Sequence, residues 1–221
     1  PRLSSMERRC ACMWLATEKT DPLYVLDLSD PSAPSLSAEL VLPGFSTYIH
    51  PMDDNHLLTI GYDADDMGAF SWFTGMRLQL FDISNPYGPI LVDKKVIATR
   101  GTGSEATTNH LAFNYFAPQG LLAIPVVECE GGSFGQYANV MSFNGLKVFS
   151  VTIEDGFSEL GGIEYSLMSD YSASCFNWWT QSNSQVKRSI FMDSWVYAIS
   201  LDQMKIAHIN SLSEPAVVIE F

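Results

Sequence analysis

Leu23-Tyr24-Val25-Leu26-Asp27-Leu28-Ser29-Asp30-Pro31 returns further on as Leu78-Gln79-Leu80-Phe81-Asp82-Ile83-Ser84-Asn85-Pro86. In each copy side chains alternate between two faces, as successive residues of a strand must. Each copy then runs into Asp-x-Ser-(Asp/Asn)-Pro. The Asp can accept bonds from nearby backbone N–H groups, and the Pro cannot continue a ladder, so a turn is expected. A second apolar strand follows, Ala38 to Leu42 in one copy and Val92 to Ala98 in the other.

Two weaker copies lie downstream. Lys147 to Val151 turns at Glu154-Asp155-Gly156 into Phe157 to Ile163, and Ile206 to Ile209 turns at Ser213-Glu214-Pro215 into Val217-Val218-Ile219. Aligned on Asp27, Asp82, Ser150 and Ser211, the unit recurs in steps of 55, 68 and 61 residues. A strand unit recurring in this way points to the blades of a β-propeller, which are usually about 40–45 residues long, so these blades must carry long loops. The expected fold is all-β: residues 21–221 form a partial propeller of about three and a half four-stranded blades. Residues 1–20 show no clear period and read as an irregular or altered segment standing where the inner strands of the first blade belong.

The 221 residues include 12 Lys and Arg against 25 Asp and Glu, for a net charge of −13. Such a surface repels phosphate backbones, which argues against nucleic acid as a partner. No apolar run approaches the length of a membrane-spanning helix. A hydrophobic content of 47% with 17% charged residues fits an ordered core.

In an up-and-down blade, the connection from second to third strand and the connection to the next blade share one end. The long stretches 63–75, 99–108, 128–144 and 166–185 all fall there, and the short Pro, Asp and Asn turns fall at the other end. Loops on a rigid scaffold are where binding concentrates, so the long-loop face is the expected working surface. Cys129 and Cys175 sit in two of these loops. They read either as separate thiols or, given their shared face, as a disulfide, which would place the protein in an oxidising, extracytoplasmic compartment. Cys10-Ala11-Cys12 matches no zinc spacing.

Asp63, Asp65 and Asp66 suggest a calcium loop, but Met67 stands where an EF-hand needs an oxygen ligand and Thr74 where it needs Glu, leaving only a looser carboxylate site for Ca²⁺ beside the alternative of a solvated acidic loop. Trp72 with Phe73, and Trp178 with Trp179, are aromatic clusters in the long loops. They read as stacking platforms for a protein or glycan, or as loop-level core. Trp14 and Trp195 read as packing residues. His110, opening a first strand near Glu105, could serve acid–base chemistry or simply bond at the strand start. Glu130-Gly131-Gly132-Ser133-Phe134-Gly135 precedes no helix and fits no phosphate-binding loop, and no serine has a nucleophile-elbow context, so no catalytic residue is assigned.

The strings Asp21 to Pro31, Pro43 to Pro51, Gly61-Tyr62-Asp63-Ala64-Asp65, Leu121 to Val126 and Gln185 to Ser189 resemble the bacterial and archaeal secreted proteins with a C-terminal β-propeller, distantly akin to WD-type repeats. The resemblance covers about residues 20–221, and residues 1–19 depart from it. It implies an exported propeller, often tethered at the cell surface, and it brings no catalytic positions. The resulting expectation is an extracytoplasmic binding or scaffold module for a protein or glycan, completed by further blades of a longer chain or by a partner. The alternative is a propeller enzyme, a metal-assisted hydrolase using Asp63, Asp65, Glu105 and His110.

Overall fold

A computed structural model describes residues 9–13, 22–66, 71–133, 136–165, 175 and 183–221. It is built of antiparallel sheets. The first has three strands, β1 (Arg9–Met13), β2 (Leu23–Asp27) and β3 (Ser35–Leu40). The second has β4 (Phe45–Pro51), β5 (His56–Asp66), β6 (Ser71–Asp82) and β7 (Ile90–Ile97). The third has β8 (Asn114–Phe116), β9 (Leu121–Glu130), β10 (Val140–Thr152) and β11 (Gly156–Glu164). The fourth has β12 (Arg188–Met192), β13 (Trp195–Ile199), β14 (Gln203–His208) and β15 (Val217–Glu220). Within each sheet every strand pairs with its neighbour in sequence, the meander of a propeller blade.

Stacking these sheets explains why so many strands are apolar on both faces. Leu57 joins Leu23, Phe81 and Ile83 between the first and second sheets. Its neighbour Leu58 joins Leu80, Leu122 and Phe149 between the second and third. Ala123, Val148 and Ile163 pack against Val196, Ala198 and Ala207 between the third and fourth. Two adjacent residues thus serve two different cores, the sheet period of two applied to a layer covered on both sides. Among the described residues no such cluster joins the fourth sheet to the first.

Among the described residues no core cluster forms on the far face of the fourth sheet. The register places Ile190, Tyr197, Ile206 and Val217 in one cross-strand row and Ile199, Met204 and Ile219 in the next. Trp195, expected to be a packing residue, lies on this same face opposite Met192 and is 39% exposed.

The turn chemistry follows the repeat. The Ser29 N–H and hydroxyl donate to Asp27 Oδ1 at 2.8 and 2.6 Å, and the Ser84 N–H donates to Asp82 Oδ1 at 2.7 Å. The next residue of each motif does the same: the Ser32 N–H donates to Asp30 and the Tyr87 N–H to Asn85.

Four stretches differ from expectation. The expected loop 128–144 is strand at both ends, with β9 running through Cys129 to Glu130 and β10 starting at Val140. Arg9–Met13, within the segment read as irregular, forms a strand paired with β2. Most of the expected loop 63–75 is instead a continuation of the β5–β6 hairpin, with Asp63 opposite Gly75 and Asp65 opposite Trp72. The strand tolerates the acidic residues because Asp63 is neutralised from neighbouring strands and the inward face stays aromatic, with Phe45 5.1 Å from Phe73 and 5.5 Å from Tyr62. The expected strand Asn109 to Phe116 shrinks to Asn114–Phe116, behind 3-10 turns at Glu105–Thr107 and His110–Ala112. Ser104 Oγ accepts from the Ala106 N–H and Asn109 Oδ1 from the Leu111 N–H. These local bonds compete with the ladder and win.

Candidate functional site

The connections at the long-loop end meet and are tied to one another. The Thr99 hydroxyl donates to the Cys129 carbonyl at 2.6 Å, and the Gly132 N–H donates to the Thr99 hydroxyl at 3.2 Å. The Ala138 N–H donates to the Arg100 carbonyl at 2.8 Å, and Gly103 and Val127 exchange both backbone bonds. Cys129 and Cys175 stand at disulfide distance, with their Cα atoms 5.8 Å apart, and both are fully buried. Gly101 makes this junction sterically feasible. Its φ is +108°, and a Cβ there would sit 2.3 Å from the Cys175 carbonyl oxygen, so no other residue fits without backbone movement.

Arg100 occupies the centre of this region. Its guanidinium carbon lies 5.1 Å from the Trp72 ring centroid and 4.5 Å from that of Tyr137, within cation–π range of both. The β5–β6 hairpin brings Trp72, the link after β7 brings Arg100, and the β9–β10 connection brings Tyr137. Trp72 is half-buried. Sequence reasoning found Trp72 but missed Arg100 and Tyr137. The available signal was a basic residue followed by Gly101-Thr102-Gly103 in a chain with few cations.

The other candidates are placed as follows. Asp63 is buried within the second sheet: Lys94 Nζ donates to its two oxygens at 3.2 and 3.1 Å, and Arg77 Nη1 lies 3.4 Å away. Arg77 also donates to the Pro43 carbonyl. This carboxylate is thus part of an internal ion pair that holds three strands together. Asp65 is exposed opposite Trp72, and the backbone of Asp66 ends β5. Trp178 and Trp179 lie outside the described residues. Glu105 is bonded to Lys187 at 2.8 Å, joining the turn after the second sheet to the entrance of the fourth. His110 is exposed, its ring 6.1 Å from that of Tyr48. Among the described residues no group of three or more His, Cys, Asp or Glu converges to hold a metal ion, so Asp63, Asp65, Glu105 and His110 are not brought together.

A second aromatic group lines the inner strands. Tyr48 Oη and His50 Nδ1 are 3.1 Å apart, and the His50 ring lies 5.3 Å from Phe113 and 5.7 Å from Tyr115. Burial lowers the His50 pKa and raises those of Tyr48 and Tyr115, so all three favour their neutral forms.

Comparison with known proteins bears on the fold. Residues 13–212 match the family model described as a beta propeller domain. An uncharacterized protein of Archaeoglobus fulgidus is 30% identical over 158 residues, which cover 70% of this chain and 23% of that protein. An uncharacterized protein of Methanocaldococcus jannaschii is 43% identical over 77 residues, covering 35% of this chain and 11% of the relative. The chain thus spans less than a quarter of each relative's length. A crystal structure of a protein from Lactobacillus plantarum superimposes with a TM-score of 0.45 at 11% identity, covering 96% of this chain and 58% of that one. Among the described residues no helix is long and apolar enough to cross a membrane.

Proposed function

Because the chain belongs to the beta propeller domain family, we propose that it is an extracytoplasmic binding or scaffold module whose long-loop end takes up a protein or glycan. The observation that carries this reading is the convergence of Trp72, Tyr137 and Arg100 from three separate connections on one end of a rigid stack. An aromatic surface beside a guanidinium offers stacking for a sugar ring or an aromatic side chain and a charge-assisted bond for a carboxylate. The Cys129–Cys175 pair supports the extracytoplasmic part, since such bonds persist in oxidising compartments.

The test is a glycan array together with capture of cell-envelope proteins by the immobilised chain. Trp72→Ala and Tyr137→Ala should each weaken retention of whatever ligand is captured by about 1–2 kcal/mol, roughly five- to thirtyfold, with the fold unchanged by circular dichroism. Equal retention by the wild type and both variants would defeat the assignment of this surface.

A further inference from the structure

An ion cluster at the root of the β9–β10 connection takes no part in the proposed binding. Lys147 Nζ of β10 lies 2.6 Å from Glu159 Oε1 of β11 and 3.3 Å from Glu128 Oε1 of β9. The Phe143 ring covers the ammonium, its centroid 4.6 Å from Nζ. Gly162, opposite Lys147, leaves space for that ring, since a Cβ there would stand 2.8 Å from Phe143 Cζ. The Lys147, Glu128 and Glu159 side chains are only 13, 17 and 33% exposed. Glu128 pairs with Phe143 across the ladder and directly precedes Cys129. The Cys129 carbonyl accepts from the Thr99 and Thr102 hydroxyls, and its N–H donates to Thr102 Oγ. The cluster thus sits one residue from the junction that ties the long-loop end together.

Its charges do not balance. Asp63 faces two cations and Glu105 one, whereas here two carboxylates share a single ammonium. Surplus charge in a half-buried place is costly, and a carboxylate pair can shed it by binding one proton. Burial raises the Glu128 pKa. Lys147 opposes that shift, and the charges of Glu159 and of Glu130 on the same strand add to it. Burial pulls the Lys147 pKa down, but its bonds to both carboxylates outweigh this and raise it, so Lys147 stays charged. Arg100, on the link bonded to β9 through Gly103 and Val127, is stacked on Trp72 and Tyr137 instead.

We propose that Glu128, Lys147 and Glu159 form a proton-dependent latch: uptake of one proton by the carboxylate pair balances the cluster, and the root of the β9–β10 connection holds tighter in acid than at neutral pH. A carboxylate whose folded pKa is raised contributes fully below its ordinary value of 4.5 and loses that contribution as the pH rises through the folded value. The long-loop end should therefore be firmer in a mildly acidic medium. This holds whether or not a protein or glycan binds at Trp72.

The test is hydrogen–deuterium exchange of the full chain at about pH 4.5 and about pH 7.5, corrected for the intrinsic pH dependence of exchange. Peptides covering 125–132 and 139–147 should gain protection in acid relative to peptides of the fourth sheet. The gain should be about tenfold for each pH unit by which the folded pair holds its proton more tightly. Glu128→Gln and Glu159→Gln each remove the surplus charge, so each should show the acid level of protection at both pH values. Should Glu128→Gln fail to fold, Glu159→Gln carries the same expectation. Glu130→Gln, outside the trio, should keep most of the pH dependence. Wild-type protection at this end that falls in acid, or stays level, would overturn the proposal. So would a Glu128→Gln or Glu159→Gln chain that keeps the wild-type pH dependence or is less protected than wild type at both pH values, the mark of a purely structural bond.

Discussion

Asp93 shows how a single side chain joins two blades. It sits on β7, yet its Oδ2 accepts a 2.8 Å bond from the Phe157 N–H at the start of β11. Gly156, just before, has φ +69°, and a Cβ there would stand 2.1 Å from that same oxygen. Gly156→Ala should therefore both strain the backbone and eject the carboxylate, at a cost of about 2 kcal/mol read by urea unfolding. Stability within a few tenths of wild type would show that the contact is dispensable. Tyr165 performs a similar task between the third and fourth sheets, where its hydroxyl donates to the Ala198 carbonyl at 2.7 Å. Burial, against a smaller opposing effect of nearby hydrogen bonds, raises its pKa to about 12. A tyrosine with a raised folded pKa keeps its full contribution below the unfolded value near pH 10 and loses it as the pH climbs toward 12. Unfolding midpoints should accordingly fall over that window, and less steeply in Tyr165→Phe.

The elements were legible in proportion to how local their determinants are. Asp27 and Asp82 announced their turns because the bonds they accept come from two residues away. The β5–β6 hairpin was read too short because Asp63 looks like a loop residue until Lys94, on a strand 31 residues later, is seen to neutralise it. The inner strand of the third sheet was read too long because apolar alternation outweighed the capping by Ser104 and Asn109. One of the three residues of the candidate site was legible for the same reason. Trp72 stands out in the sequence, whereas the role of Arg100 exists only once three connections meet. Those connections are clamped by the Cys129–Cys175 pair, 46 residues apart. On the chain-entropy account, closing such a loop contributes about 4 kcal/mol. Cys129→Ser with Cys175→Ser should lower stability by up to that amount and, by loosening Thr99 and Thr102 from the Cys129 carbonyl, raise protease sensitivity at this end first. Uniform sensitivity along the chain would argue against a local clamp.

At the scale of the molecule, one regularity does most of the organising: strands that are apolar on both faces, stacked so that each sheet covers the next, with their long connections at one end. The order of the sheets follows from the order of the repeats, and the polarity of the loops follows from the meander. The most direct test of this arrangement is a non-reducing peptide map of the chain with free thiols alkylated. The prediction is one cross-linked pair joining the peptides of Cys129 and Cys175, with Cys10 and Cys12 of β1 absent from it. A bridge from Cys129 or Cys175 to Cys10 or Cys12 would contradict the account, because β1 belongs to the first sheet and the whole second sheet stands between it and the third.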